Sequence, residues 1–470
     1  MSRLIAISNR VPKPGEHGTA GGLAVALRGA MEKQGGLWLG WSGNVSKLAD
    51  GDPKPRFLRS GNVDYVTVDL TQRDEEEYYN GFANRALWPL FHHRPGLTEF
   101  ARRDMAGYYR VNQTFARILA PLLKPDDIIW VHDYHFIPLA SELRALGVKN
   151  RIGFFLHIPW PAPELLVILP NHARLAVNLA NYDVIGFQTK PSFDNLMSYL
   201  REELNIEHRQ GRFEAFGREV FAGVFPISID AEEFMRFAKA PPSPVARRLK
   251  NSLDGRKLML SVDRLDYSKG IPQRIEAIGR FLELYPDYRR RFSALQIAPT
   301  TRETIPEYGE INREVAEAAG RVNGMFGDLD WAPVRYVNRS VSRATLAQLY
   351  RSARVGAVTP LRDGMNLVAK EYVMAQDLED PGVLVLSRFA GAAHELRGAL
   401  FVNPYDTDGM AHAFRAAFEM SREERIARME PMMVQVQEHD VHRWSREFLD
   451  ALTDKAVVDQ PLRIVERAVG

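Results

Sequence analysis

Residues 358–373, VTPLRDGMNLVAKEYV, decide how this chain is read. The apolar run Val355 to Val358 ends in a short turn holding Arg362, Asp363 and Gly364, and helix-favouring residues resume at Leu367. The pattern predicts a strand, a tight loop and a helix start. A helix beginning there leaves backbone N–H groups unpaired around Asn366, Leu367 and Val368, and its dipole adds partial positive charge, so an anion is expected at its end. Asp363 lies in the loop, and Glu371 follows about two helical turns on. Carboxylates so placed accept hydrogen bonds from sugar hydroxyls, and a nucleotide sugar carries both the phosphates and the hydroxyls such a stretch would hold. Read alone, the stretch leaves an alternative open, in which Asp363 caps the helix and Glu371 is solvated.

The same rhythm continues on both sides. LMLSV (258–262), ALQIA (294–298), VRYVN (334–338) and VLVL (383–386) flank it, and LIAIS from residue 4, IIWV (128–131), IGFFLHI (152–158) and VIGFQ (184–188) precede it. Near-continuous apolar runs of this length are what parallel strands buried on both faces look like. Segments such as Met105 to Leu123 and Phe136 to Leu146 read as helices between them, which is βαβ organisation. The stretch AKAPPSPVARR, with Pro241, Pro242 and Pro244, breaks the series and marks a domain boundary. The expectation is an α/β protein of two doubly wound domains, residues 1–235 and 236–454, facing a cleft, with a last helix at about 455–470 packing back on the first.

Composition narrows the function. At 470 residues, 45% hydrophobic and 26% charged, the chain has the make-up of a soluble globular protein of two or more domains. Lys and Arg total 61 against 59 for Asp and Glu, a balance that gives no reason to expect nucleic acid or an anionic membrane as partner. The absence of cysteine removes disulfides, thiolate zinc sites and cysteine nucleophiles together. The apolar stretch in MSRLIAISNRVPKPG is too short for a signal peptide, so a cytoplasmic location is expected.

Two further stretches carry chemistry. NRVPKPGEHGTAGGLAVAL (9–27) sets Gly21 and Gly22 directly before a helical pattern, where a ligand can approach the backbone, and it lacks both GxGxxG and the P-loop pattern. LMLSVDRLDYSKGIPQR (258–274) places Arg264 and Lys269 between a strand and a helix, where ligands of open α/β sheets gather; two cations there suit a diphosphate and would stabilise it as a leaving group. His132, Asp133 and His135 lie at a strand end without the i,i+4 helical pair of a zinc protease, and no metal is expected. The runs DEEE (74–77) and RRR (289–291) read as solvated faces.

VDRLDYSKG, WVHDYHFIPL, GFFLHIPWP, APTTR and TPLRDGMNLVAKEYV, together with NR and AGG at the front, closely resemble the trehalose-6-phosphate synthase family of retaining glucosyltransferases, glycosyltransferase family 20. The resemblance runs from about Arg3 to Tyr405. It implies a GT-B fold of two Rossmann-like domains, and transfer of glucose from UDP-glucose to glucose 6-phosphate without a metal or other cofactor. By that resemblance Gly21, Gly22, Arg264, Lys269, Val341, Asp363 and the segment Leu367, Val368, Ala369, Lys370 and Glu371 bind the donor, with Glu371 on the ribose. His157 and Asp363 sit against the transferred glucose and count, with Arg264 and Lys269, as the catalytic set. Arg10, Trp41, Tyr79, Trp88, Asp133 and Arg302 surround glucose 6-phosphate; arginines suit its phosphate, Asp133 its hydroxyls and the rings a sugar face.

Val341 stands where relatives often carry a larger apolar residue near the nucleotide, and the sugar and phosphate groups these motifs read are shared by UDP, GDP and ADP donors. The resemblance further implies a homo-oligomer, a tetramer, and a separate phosphatase acting downstream. Two competing readings are a relative with another acceptor, such as a glucosylglycerol-phosphate synthase or a pseudo-glycosyltransferase, and a non-catalytic sensor of sugar phosphate. Arg10, Tyr79, Asp133 and Arg302 together argue against the first, and intact donor and acceptor motifs against the second.

Overall fold

The apolar runs quoted above form strands of two parallel sheets. The computed structural model describes residues 2–12, 22–46, 53–300 and 306–453. Among them, ten strands make the first sheet: β1 (Leu4–Arg10), β2 (Gly36–Val45), β3 (Arg56–Ser60), β4 (Val63–Leu70), β5 (Ile128–His132), β6 (Arg151–Phe155), β7 (Val184–Phe187), β8 (His208–Arg209), β9 (Arg212–Ala215) and β10 (Arg218–Val224), in the order β3-β4-β2-β1-β5-β6-β7-β10-β9-β8. The seven from β4 to β10 run parallel, and antiparallel partners close both edges. The second sheet holds β11 (Lys257–Val262), β12 (Phe292–Ile297), β13 (Val334–Val337), β14 (Val355–Val358), β15 (Val383–Ser387) and β16 (Leu400–Val402), all parallel, in the order β13-β12-β11-β14-β15-β16.

Contacts divide the chain into two units. Among the described residues, one comprises those within 2–12, 27–226 and 442–453, and the other those within 22–26 and 227–441. Helices cover the sheets, so the strands are buried on both faces: Ile5, Ala6 and Ile7 of β1 and Ile129, Trp130 and Val131 of β5 are wholly enclosed. This is why those runs carry no alternation of polar residues. The helix Val441–Thr453 brings Trp444 and Phe448 against Trp130 and Phe155 of the first sheet, with ring centroids 4.9–5.6 Å apart. The segment 455–470, expected to pack on the first domain, lies outside the described residues.

Both sheets share one winding. Counted in chain order within the parallel part, each begins 3-2-1-4-5-6, and the connections reverse direction between β1 and β5 in the first unit and between β11 and β14 in the second. In open α/β sheets the crevice at such a reversal, beyond the carboxyl ends of the strands, is where ligands bind. No described helix is long and apolar enough to cross a membrane.

Candidate active site

In the second unit the reversal is filled by the loops after β11 and β14. Asp266 caps the turn Tyr267–Lys269 by accepting from Ser268 N–H (2.9 Å), and Tyr308 donates to its other oxygen (3.0 Å). Gly270 then takes a left-handed φ of 63°, and a Cβ there would press on the Thr359 carbonyl. That close approach lets Ser268 C=O accept from both Leu361 N–H (2.8 Å) and Arg362 N–H (3.3 Å), so the two loops are fastened backbone to backbone. Lys269, nearly buried, sets Nζ 2.6 Å from Asp363 Oδ2, and Asn366 donates to the same oxygen at 3.0 Å. Arg264 remains exposed.

The helix start falls where the sequence placed it: the helix spans Leu367–Ala375. Its cap is Asn366, whose Oδ1 accepts from Ala369 N–H (3.3 Å) from a left-handed φ of 76°, a conformation asparagine tolerates. Leu367 and Val368 are half-buried and Ala369 is enclosed. Lys370 turns inward: its Nζ lies 2.8 Å from both Ile227 C=O and Glu395 Oε2, so its side chain holds the unit together. Glu371 is half-buried, and desolvation pushes its carboxyl up to about 7, against the opposing pull of Arg343 and Tyr350. Val341 is half-buried on the loop before the helix Arg343–Ser352.

Beneath these loops lies a residue that sequence reasoning missed. Arg274 is 1% exposed and donates to Asp263 Oδ2 (2.6 Å), Gln296 Oε1 (2.8 Å), Thr359 Oγ1 (2.9 Å) and Lys269 C=O (3.2 Å). It ties the ends of β11, β12 and β14 to the turn that carries Lys269. In the sequence it is one arginine on a helix, with no signal to separate it from a solvated one.

In the first unit the reversal is lined by Arg10, at the end of β1, and Asp133, just beyond β5. The Arg10 guanidinium lies 3.9 Å from the centroid of the Trp41 ring and 5.8 Å from that of Tyr79, a cation–π arrangement that aims the charge. Gly43, at φ 89°, makes room: a Cβ there would overlap Arg10 Nη1. Trp41 is wholly buried and donates to Asn44 C=O (2.8 Å); Trp88 is nearly so, against His92 and Tyr134. Tyr79 is half-buried, edge-on to Trp41 and stacked on His135. It rides on a π-helix, Glu75–Leu87, that the sequence did not reveal. Tyr78 anchors that helix by donating to Asn9 Oδ1 (3.0 Å), next to Arg10, and Asn84 donates to Tyr79 C=O (2.8 Å).

His157 follows β6. Its backbone N–H donates to Asp133 Oδ1 (3.2 Å), and its Nε2 lies 3.2 Å from His132 Nδ1. Burial lowers the His157 imidazole to about 3 and His132 well below its ordinary range. Gly22 opens the helix Gly22–Gln34. Gly21 and Arg302 lie outside the described residues. Among those described, no three His, Cys, Asp or Glu side chains group as a metal site would require.

A family model for glycosyltransferase family 20 matches residues 11–454. The chain belongs to glycosyltransferase family 20. Trehalose-6-phosphate synthase of Sinorhizobium fredii is 55% identical over 459 residues, covering 96% of this chain and 98% of that protein. Its counterpart from Klebsiella pneumoniae is 47% identical over 454 residues, covering 96% and 95%. Among solved structures, the Burkholderia xenovorans α,α-trehalose-phosphate synthase (UDP-forming) in complex with glucose-6-phosphate superposes with a TM-score of 0.93 at 49% identity, covering 96% of this chain and 100% of that one. The E. coli family member bound with UDP-2-fluoro glucose gives 0.91 at 45%, covering 96% and 99%. The fold is therefore the GT-B type, two Rossmann-like units, as the motifs implied.

Proposed function

We infer that the protein is a UDP-forming retaining glucosyltransferase that joins the glucose of UDP-glucose to glucose 6-phosphate, giving α,α-trehalose 6-phosphate. The observation that carries this is the extent of the likeness: it covers 96% of the chain, through both units, in relatives solved with glucose-6-phosphate and with a UDP-glucose analogue.

The side chains take roles their chemistry suits. Arg264 and Lys269 receive the diphosphate, with the backbone N–H groups of Leu367 and Val368 and the glycines Gly21 and Gly22 beside it; Glu371 accepts from the ribose hydroxyls, and Val341 lies near the base. Lys269, paired with Asp363 in the structure described here, turns to the phosphate when the donor arrives. Asp363 and His157 lie against the transferred glucose. Arg10 and Arg302 bind the acceptor's phosphate and Asp133 its hydroxyls, and Tyr79, Trp41 and Trp88 are the aromatic residues that surround it.

Retention follows without a carboxylate nucleophile. A retaining glycosidase uses two carboxylates and a covalent intermediate. Here the bond from the anomeric carbon to the diphosphate breaks while the acceptor hydroxyl oxygen bonds to the same carbon from the same face. Its proton passes to an oxygen of the departing diphosphate, whose charge Arg264 and Lys269 stabilise. No metal enters this scheme. The proposal extends to a cytoplasmic homo-oligomer, a tetramer, whose product a separate phosphatase consumes.

The test is nucleoside diphosphate release by the purified protein, with UDP-, GDP- and ADP-glucose, with and without glucose 6-phosphate, and with a chelator present. Release that needs glucose 6-phosphate, favours UDP-glucose and ignores the chelator is expected. Failure to form the phosphorylated disaccharide with any donor overturns the reading.

A further inference from the structure

Three neighbouring strands of the first sheet each deliver one polar side chain from the carboxyl end: His132 from β5, His157 from just beyond β6 and Gln188 from just beyond β7. The three form a row. His157 Nε2 lies 3.2 Å from His132 Nδ1, and His157 Nδ1 lies 3.3 Å from Gln188 Nε2. His132 closes the row: it is wholly enclosed, its Nε2 has no hydrogen-bond partner among the described residues, and rings of Trp130, Phe155 and Trp444 surround it at 4.6, 6.5 and 6.4 Å.

Two neutral imidazoles sharing one hydrogen bond can be wired in only two ways. If His132 donated from Nδ1, its Nε2 would be a bare lone pair enclosed among aromatic rings, with no donor among the described residues within hydrogen-bond distance. If His157 donates from Nε2, His132 keeps its proton on Nε2, where an N–H enclosed among aromatic rings is tolerated. The second wiring also leaves His157 Nδ1 as a lone pair, which is what the Gln188 amide N–H requires. Both ends of the row select the same arrangement.

We propose that His132 is a positioning residue for the transfer reaction: by accepting from His157 Nε2–H it fixes the His157 tautomer and ring plane, leaving neither ring nitrogen free to trade a proton. This rests on the reading of His157 as a neighbour of the transferred glucose. His157 then contributes shape and fixed dipoles to the site, and the proton of the acceptor hydroxyl has to go to the diphosphate.

His132→Asn and His132→Phe in the full chain separate this role from simple packing. Asparagine places an acceptor oxygen near the position of Nδ1 but fills the aromatic pocket poorly; phenylalanine fills it and offers no acceptor. His132→Phe should lose about 10- to 100-fold in kcat with little change in KM for glucose 6-phosphate. His132→Asn should keep most of the turnover while melting at a lower temperature than the Phe variant. Activity that instead follows the melting temperature overturns the proposal. Nitrogen NMR of the histidine-labelled wild-type protein should show His157 protonated at Nε2 and bare at Nδ1; the opposite tautomer overturns it too, and this measurement decides if the Phe variant does not fold. His157→Ala with unchanged turnover would remove the underlying reading of His157 itself. If His157→Ala is inactive and His132→Phe is fully active, only the positioning role fails.

Discussion

Replacing Glu371 by glutamine is expected to make the protein more stable and a poorer binder of the donor at once. Burial lifts this carboxyl from its ordinary 4.5 to about 7. Below pH 4.5 it is protonated whether the chain is folded or not, and it costs nothing. Between 4.5 and 7 the unfolded chain releases the proton while the folded chain retains it, so this group's contribution falls as pH rises; above about 7 the full cost is present. The gap corresponds to roughly 3 kcal/mol. Glutamine has nearly the same shape and no charge to desolvate, so the stability gained by Glu371→Gln should be near zero at pH 4.5 and approach that figure at pH 8. Denaturant midpoints at the two pH values measure it. The donor reverses the sign. Ribose hydroxyls donating to a carboxylate are worth about 1.5–3 kcal/mol per bond, which the neutral amide does not match, so affinity for UDP should fall about ten- to a hundredfold. In the wild type, UDP binding should release a proton near pH 7, visible as calorimetric heats that depend on the buffer. A variant equally stable at both pH values, or UDP binding without proton release, would refute the reasoning.

Lys269→Ala, and separately Arg264→Ala, should depress turnover far more than they raise KM for glucose 6-phosphate, because the charge they stabilise develops on the leaving group; steady-state kinetics with both substrates varied decides it, and unchanged turnover refutes the assignment. Gly43→Ala brings a Cβ into Arg10 and strains a left-handed φ, so KM for glucose 6-phosphate should rise while donor binding holds, with a loss of about 1 kcal/mol in stability. Arg274→Met leaves Asp263 buried without its partner and should cost about 3–5 kcal/mol, read from denaturant unfolding.

What the sequence disclosed, and what it hid, follow from the same physics. Parallel strands buried on both faces must be apolar throughout, so β1, β5, β6, β7, β11, β12, β14 and β15 stood out as runs. The cations of SVDRLDYSKG stood out because they interrupt such a pattern at a strand end. Burial of charge left no trace. Arg274 in IPQR reads like a surface residue and Lys370 in VAKEY reads as part of the donor-binding segment, yet each side chain is buried on partners outside its own helix, Asp263 and Gln296 for Arg274 and Glu395 for Lys370. The π-helix Glu75–Leu87 was equally silent, since hydrogen bonds five residues apart impose no familiar hydrophobic period. Its function is legible only in space, where Tyr78 pins it to Asn9 and thereby sets Tyr79 beside Arg10.

Asp133 shows how a strand end becomes part of a site. Its backbone sits at φ 73° and ψ 167°, a region essentially reserved for glycine and costing of order 1–3 kcal/mol for other residues. The surroundings enforce it: its N–H donates to Phe155 C=O (2.7 Å), its own C=O accepts from Phe136 N–H (3.1 Å), and its carboxylate accepts from His157 N–H (3.2 Å). The first and the last of these bonds depend on β6 ending opposite β5 in register, with His132 paired to Phe155, while the second closes the local turn after β5. The strain therefore does a definite task. It folds the Asp133 carboxylate back toward His157, so that the side chain assigned to the acceptor's hydroxyls and the backbone of the residue assigned to the transferred glucose are held by one short network. A shift of β6 relative to β5 would disturb both together, and this coupling gives rigid parallel strands, rather than the loops they carry, control of the geometry.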